Sequence, residues 1–478
     1  MALLNIQNLS VSYGAKTILQ DISLTVTQGE GWAIKGESGS GKTTLGRAIA
    51  GAVSYSGAIT LHFNTQSSLP AKTLFVESWY RFTNLEGDRN FYYQQRYNHQ
   101  QRRDTVTIAR ELELYGSEYA LDNDRLKELI ATLDYSGVLD EQLFEISSGE
   151  HKKLQLIKAL WMRPQLLIID QPYTGLDVKS RASLNLLLND YAGNGGTLLL
   201  ISNDTELPAC IRQVAVLKNG SLSTGDTSFI FEEKILKPLP GFLEEPPVYT
   251  AQTLIQMKDV QVHYDGKQVL SNINWQVNAG ERWLLQGHNG SGKSTLLSLV
   301  TGDHPQAYAN DIKLFGVQRG GGESIWDIKK RIGLISPELH WYFDANATVS
   351  QSIASGFFDA NGQYQRLRYV QQQQLNELLH FLDLYDVKDE LLSTLPLGKQ
   401  RLALLGRTII KNPQLLVLDE PCQGLDQQQT QYFNKLVDAI SSNGVTIIYV
   451  GHFETQLPAC INHRLVLQNG KAIQNTTI

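Results

Sequence analysis

The chain has 478 residues, 42 Lys and Arg against 48 Asp and Glu, a net charge of −6, and 42% hydrophobic content. That length suggests about two to four domains with ordinary cores, and the acidic balance speaks against a strongly basic nucleic-acid binder. No apolar run reaches the roughly 18 residues that would cross a bilayer, and no cationic leader opens the chain.

The first half opens on β-rich stretches, Val11 to Glu30 reading VSYGAKTILQDISLTVTQGE. A short apolar strand at Trp32–Ile34 then runs into GESGSGKTT (Gly36 to Thr44), and TLGRAIAG continues as a helix. The middle is polar, and DRLKELIATLDYSGVLD carries the three-and-four apolar spacing of an amphipathic helix. Two apolar strands follow: LLIID ends at Asp170-Gln171, and TLLLIS leads to Asn203. ILKPLPGFLEEPPVYT (Ile235 to Thr250) is rich in Pro and Gly, and reads as a short, stiff linker.

The second half repeats the first. VHYDGKQVLSNINWQVNAGE (Val262 to Glu281) matches the opening stretch, and QLPACINHRLVLQNG (Gln456 to Gly470) matches ELPACIRQVAVLKNG (Glu206 to Gly220). Between them lie GHNGSGKST (Gly287 to Thr295), the helical QQQLNELLHFLDLYDV, LLVLD ending at Asp419-Glu420, and TIIYVG leading to His452. A repeat of this period means two homologous domains, with expected bounds 1–230 and 253–478 and a linker over 231–252. Short all-apolar strands between helices indicate an α/β fold, each copy a mostly parallel core sheet with an antiparallel β part and a helical part. Cys210, Cys422 and Cys460 lack metal-ligand spacing, and read as small buried residues of a reducing compartment.

Each GxxxxGK[ST] run is a phosphate-binding loop. Its glycines (Gly36, Gly39 and Gly41; Gly287, Gly290 and Gly292, with Asn289 between) let backbone N–H groups face phosphate oxygens at a helix start. Lys42 and Lys293 supply point charge; Thr43 and Ser294, followed by Thr44 and Thr295, offer hydroxyls to Mg²⁺. Asp170 and Asp419, at the ends of apolar strands, would orient the water shell of that ion. Glu420 can then accept a proton from an attacking water, whereas Gln171 cannot. Losing such a base costs about 10²–10⁴-fold in rate.

This order of motifs resembles the ATP-binding cassette (ABC) ATPase family in tandem. By resemblance, Tyr13 and Tyr264 stack on adenine, and Asp177 and Asp426 belong to D-loops. The family's signature stands as Ile146-Ser147-Ser148-Gly149-Glu150 in the first half and Leu395-Pro396-Leu397-Gly398-Lys399 in the second. The resemblance implies a head-to-tail sandwich of two ATP, with Ser147 and Gly149 serving the Lys293 nucleotide and the Pro396 signature serving the Lys42 nucleotide. Gln171, Asn203 and Pro396 would then gather in one site, leaving Glu420, His452 and Lys293 as the catalytic set. The family's Q-loop glutamine is replaced by Glu77 and Pro337. The second half, with LLSLVTGDHPQAYANDIKLFG, resembles the ModF (photorepair protein PhrA) type associated with molybdate-transport gene neighbourhoods.

The expectation is therefore a cytoplasmic ATP hydrolase using Mg²⁺, serving or regulating a separate membrane permease, peripheral to the membrane and without a spanning segment of its own. Alternatives are an ATP-driven switch on nucleic acid or the translation or repair machinery, and a non-hydrolysing ATP sensor. The aromatic and basic segment RNFYYQQRYNHQQRRD (Arg89 to Asp104) reads as a solvated insertion, with partner docking or nucleic-acid stacking as the alternatives.

Overall fold

The computed structural model describes the chain except residues 1, 15, 38, 79–105, 144–145, 225–234, 265–266, 289, 337–345, 360–365, 426 and 452–456. Two compact units emerge, one built mainly from residues 1–232 and the other mainly from 233–478.

The first unit runs through β1 (Ala2–Tyr13), β2 (Lys16–Thr27), β3 (Gly31–Lys35), α1 (Lys42–Ile49), β4 (Ser56–Leu61) and β5 (Thr73–Val76). Then come α2 (Ile108–Tyr119), α3 (Asn123–Thr132), α4 (Ser148–Met162), β6 (Leu166–Asp170), α5 (Val178–Gly193), β7 (Thr197–Ile201), β8 (Ile211–Lys218) and β9 (Ser221–Thr224). The strands form two sheets. An antiparallel one has the order β2-β1-β4, and a six-stranded one has the order β5-β6-β7-β3-β8-β9. All pairs in the larger sheet are parallel except β8 with β9.

The second unit repeats this plan. It contains α6 (Gly241–Glu244), β10 (Thr253–Tyr264), β11 (Lys267–Asn278), β12 (Arg282–Gln286), α7 (Lys293–Thr301), β13 (Asp311–Leu314) and β14 (Val317–Gln318). After these come α8 (Ile325–Lys329), β15 (Ile332–Ile335), α9 (Val349–Ala354), α10 (Tyr369–Phe381) and α11 (Leu397–Ile409). Next are β16 (Leu415–Asp419), α12 (Gln427–Ser441), β17 (Thr446–Val450), β18 (His463–Gln468) and β19 (Lys471–Thr477). Its sheets have the orders β11-β10-β13-β14 and β15-β16-β17-β12-β18-β19.

The sequence explains the difference between the two sheet types. β6 and β7 are buried along their whole length and apolar but for Asp170 and Thr197, as strands covered by helices on both faces must be. β1 instead alternates, burying Leu4, Ile6, Leu9 and Val11 and exposing polar residues between them. Its register shifts where Asn8 and its partner-strand residue Asp21 adopt left-handed backbone (φ 49° and 50°), and Asp259 and Asn272 repeat this in the second unit. Asn and Asp tolerate that region best, so their recurrence at matching places has a steric reason.

Residues 237–252 are tied along the second unit. Lys237 pairs with Asp383, the Asn412 amide donates to the carbonyl of Glu245, and the Tyr249 hydroxyl donates to the carbonyl of Gly444 at 2.6 Å. Leu243, inside α6, is buried. Among the described residues no helix is long and apolar enough to cross a membrane.

Close backbone packing in the second unit allows a direct test. A methyl group at Gly356 would overlap the carbonyl oxygen of Arg407 on α11, whereas one at Gly137 meets nothing within 4 Å. Gly356→Ala should cost about 1–3 kcal/mol of stability, the usual penalty of overpacking. Gly137→Ala should leave a thermal melt unchanged. Equal melting of the two variants would mean that the backbone can yield at Gly356.

Candidate functional site

Parallel pairing brings the functional ends of three strands together. Ile34 on β3 sits opposite Ile201 on β7, and Asp170 on β6 sits opposite the same Ile201. The phosphate loop, Asp170 and Asn203 therefore all leave the sheet at its carboxyl edge, where open α/β sheets bind ligands. In the second unit Leu285 and Asp419 flank Val450 in the same way.

The loop itself is shaped by glycine. Gly36 and Gly287 have φ 145° and 156°, and a side chain at either would strike the carbonyl of Leu217 or Leu467. Gly41 and Gly292, also at positive φ, cap α1 and α7 and leave the first N–H groups of those helices open to an anion. The Lys42 ammonium donates to the carbonyls of Gly36 and Glu37 at 2.6 and 2.7 Å; Lys293 does the same to Gly287 and His288 at 2.7 and 3.1 Å. Each ammonium is thus held over its own loop mouth. Ser40 Oγ and Ser291 Oγ, at matching places, are buried without a hydrogen-bond partner.

Thr43 donates to Asp170 Oδ2 at 2.7 Å, while Asp170 Oδ1 is buried with no partner. Burial pushes the Asp170 carboxyl above the usual range, against the Thr43 bond and the nearby Lys152 and Lys42 charges, which pull it down. A hydroxyl and a carboxylate with an unused oxygen are the hard donors that Mg²⁺ takes. Asn203 clasps the loop entrance: its Oδ1 accepts from the Gly36 N–H at 3.0 Å and its Nδ2 donates to the Gly36 carbonyl at 2.8 Å. Glu77 pairs through its carboxylate with Arg47 of α1 at 2.8 Å.

Immediately after Asp170 and Asp419 the two units take the same unusual backbone, φ 51° at Gln171 and 43° at Glu420. Residues other than glycine hold that conformation only where the surroundings impose it. The Glu420 carboxylate accepts from the Gln423 amide at 3.0 Å, and the Gln423 carbonyl accepts from Arg401 at 3.4 Å. Arg401 is 1% exposed; burial lowers its pKa to about 10, while Cys422 and Glu420 favour its charge.

A family description for ABC transporters matches residues 19–174 and 270–423. The ABC transporter ATP-binding protein ModF of Escherichia coli is 37% identical over 470 residues, covering 94% of this chain and 93% of the relative. The chain belongs to the ABC transporter ATP-binding family. An uncharacterized ABC transporter ATP-binding protein of Schizosaccharomyces pombe is 31% identical, covering 95% of this chain and 96% of that one. A solved complex of an archaeal ribosomal stalk protein with an archaeal ribosome recycling factor shares the fold across 98% of this chain and 90% of that chain, with a TM-score of 0.57 and 16% identity.

In the first unit Thr43 meets Asp170, and Lys42 and Asn203 both bond the Gly36 carbonyl; in the second Lys293 closes its loop. Ser294 is exposed and Asp419 half-buried at the corresponding places. Tyr13 is 51% exposed at the end of β1, whereas the Tyr264 hydroxyl bonds His304. Ser147 caps α4, its hydroxyl accepting from the Glu150 N–H at 3.3 Å and bonding the Glu150 carboxylate at 2.7 Å. Pro396 caps α11 without a side-chain bond, and Asp177 caps α5. Asn289, Pro337, Asp426, His452 and the segment 89–104 lie outside the described residues. The three cysteines are free but only partly buried, and burial pushes the Cys422 and Cys460 thiols up to about 12.

Two buried cations were missed from the sequence. Lys152 of α4 donates to the carbonyls of Asp170 and Glu77 at 2.9 and 3.0 Å, and burial lowers its pKa to about 7. Arg401 occupies the matching place on α11. The available signal was a cation inside the apolar faces of HKKLQLIKAL and QRLALLGRTII.

The Asn203 clasp predicts a cost. Asn203→Ala leaves the Gly36 N–H without its partner and the Gly36 carbonyl with Lys42 alone, and should lower stability in urea by about 1–3 kcal/mol. An unchanged unfolding midpoint would show that water replaces both bonds at no loss.

Proposed function

We propose that this chain is an ATP hydrolase with one working site and one holding site. Lys293, Ser294, Asp419, Glu420 and His452 form the first of these; Lys42, Thr43, Asp170, Gln171 and Asn203 form the second. One observation carries the reading. Gln171 and Glu420 occupy the same left-handed backbone position after the metal-facing aspartate, so the two sites differ there in chemistry and not in geometry. A carboxylate can take the proton of a water adding to the γ-phosphorus as the bond to the ADP oxygen breaks; a carboxamide cannot.

Mg²⁺, when bound through Thr43 and Asp170 or through Ser294 and Asp419, would neutralise charge on the phosphate oxygens. The protein's own groups do the rest. On nucleotide binding, Lys42 and Lys293 exchange loop carbonyls for phosphate oxygens. The open N–H groups at the starts of α1 and α7 receive the same anion. Asn203 keeps the first loop in shape and, unlike histidine, brings no titrating group. These features suit retention at the Lys42 site and turnover at the Lys293 site.

Following the family resemblance, the nucleotides are sandwiched head to tail, Ser147 and Gly149 serving the one at Lys293. The chain serves or regulates a separate membrane permease from the cytoplasmic side. Molybdate is the cargo implied by the ModF-type resemblance.

Steady-state hydrolysis by the purified chain tests the division of labour. Glu420→Gln should lower turnover by about 10²–10⁴-fold, while Lys42→Ala should reduce it only in part. Full activity in Glu420→Gln, or complete loss in Lys42→Ala with ATP still bound at Lys293, would reverse the assignment. Ser147→Ala should weaken ATP at the Lys293 site and spare the Lys42 site; loss confined to the Lys42 site would refute the head-to-tail pairing.

A further inference from the structure

The second unit carries a device around Tyr264 that the first unit lacks. His304 is 1% exposed and stands just after α7, the helix that begins at the Lys293 loop. Its Nδ1 accepts from the N–H of Gln306 at 3.1 Å, at the start of the short turn Pro305–Ala309. A neutral imidazole has one donor and one acceptor nitrogen, so Nε2–H is the donor left for the Tyr264 hydroxyl, 2.5 Å away. Burial pushes the imidazole pKa down to about 4, which keeps the ring neutral at neutral pH.

The same turn also grips the strand. The Gln306 amide donates to the carbonyl of His263 at 2.6 Å and accepts from its N–H at 3.1 Å, so the residue before Tyr264 is clasped on both backbone groups. Asn310 does likewise for Gln261, at 3.0 and 2.8 Å. Tyr264 is therefore held by its hydroxyl, and the strand leading to it by the backbone of His263 and Gln261, from one short turn that follows the phosphate-loop helix. In the first unit TLGRAIAGAV aligns with TLLSLVTGDH, which puts Val53 where His304 stands. Valine can donate nothing, and Tyr13 is 51% exposed.

We propose that His304 is a positioning residue that fixes Tyr264 as a ready-made stacking surface for the nucleotide base at the Lys293 site. This rests on the reading that Tyr264 meets the adenine. A side chain frozen before binding removes its ordering cost from the affinity, so the hydrolysing site holds a prearranged base platform and the Lys42 site orders Tyr13 on binding. The device also couples base to phosphate: the turn that holds Tyr264 begins where α7 ends, and α7 begins at Lys293.

Steady-state kinetics with ATP, and with inorganic tripolyphosphate as competitor, separate the possible roles. His304→Leu removes the bond to Tyr264 together with the acceptor of the Gln306 N–H; losing the Tyr264 bond should raise KM for ATP about fivefold, with kcat within about twofold and tripolyphosphate inhibition unchanged. His304→Gln, which keeps an N–H donor, should recover most of the affinity. Tyr264→Phe, which keeps the ring and loses the hydroxyl, should reproduce His304→Leu and carries the test if that variant fails to fold. An unchanged KM in both His304→Leu and Tyr264→Phe, with a raised KM in Tyr264→Ala, would overturn the positioning role and leave the base contact standing. An unchanged KM in Tyr264→Ala would overturn the base contact itself. Equal weakening of ATP and tripolyphosphate would assign His304 to the shape of the loop, not to the base.

Discussion

Parallel pairing of the strand that feeds each phosphate loop with its neighbour sets where every phosphate-directed group stands. β3 lies between β7 and β8, and β6 lies beyond β7, so Gly36, Asp170 and Asn203 leave one edge of the sheet together. The same register forces the loop against β8, where only a residue without a side chain fits beside the Leu217 carbonyl. From that close approach follow the turn into α1, the reach of Lys42 back over the loop, and the meeting of Thr43 with Asp170. β12, β17 and β18 impose the same constraint at Gly287.

Within this shared frame the units diverge by chemistry. Gln171 and Glu420 share a left-handed φ and are opposite in what they can do with a proton. Beneath them, α4 and α11 each send one buried cation toward their own unit's acidic strand or the turn after it. Lys152 binds the Asp170 and Glu77 carbonyls, while Arg401 approaches the Gln423 carbonyl near Glu420. A buried cation is expensive unless compensated, so its retention in both units marks these junctions as places where backbone oxygens must be held. The first unit adds the Arg47–Glu77 pair and the Asn203 clasp, which brace a site that lacks the carboxylate after Asp170. In the second unit, polar groups of one turn, His304, Gln306 and Asn310, join it to β10.

Much of this was legible in the residues. Two copies of a phosphate loop, two strands ending in Asp, and the repeat itself specified a tandem α/β protein, because those signals are local: a glycine pattern, a run of apolar residues, a carboxylate at a strand end. The exchange of Glu420 for Gln171 was equally plain, since it needs only a comparison of the two halves. Expecting buried cysteines was less successful, as all three are only partly buried. The stretch after Ile235 read as a linker from its prolines, yet Asn412, Gly444 and Asp383 tether it to the second unit from far along the chain.

Sequence by itself determined the fold class, the duplication, and which groups could bind phosphate or move a proton, because these depend on residue type and short spacing. Tertiary structure alone decided what those groups touch. That Asn203 grips Gly36, that Arg47 takes up Glu77, that Lys152 and Arg401 turn inward, and that His304 meets Tyr264 all involve partners 18 to 167 residues apart. Such pairings follow from strand order and helix packing, and a hydrogen bond between distant residues leaves no periodicity in the chain from which it could be read.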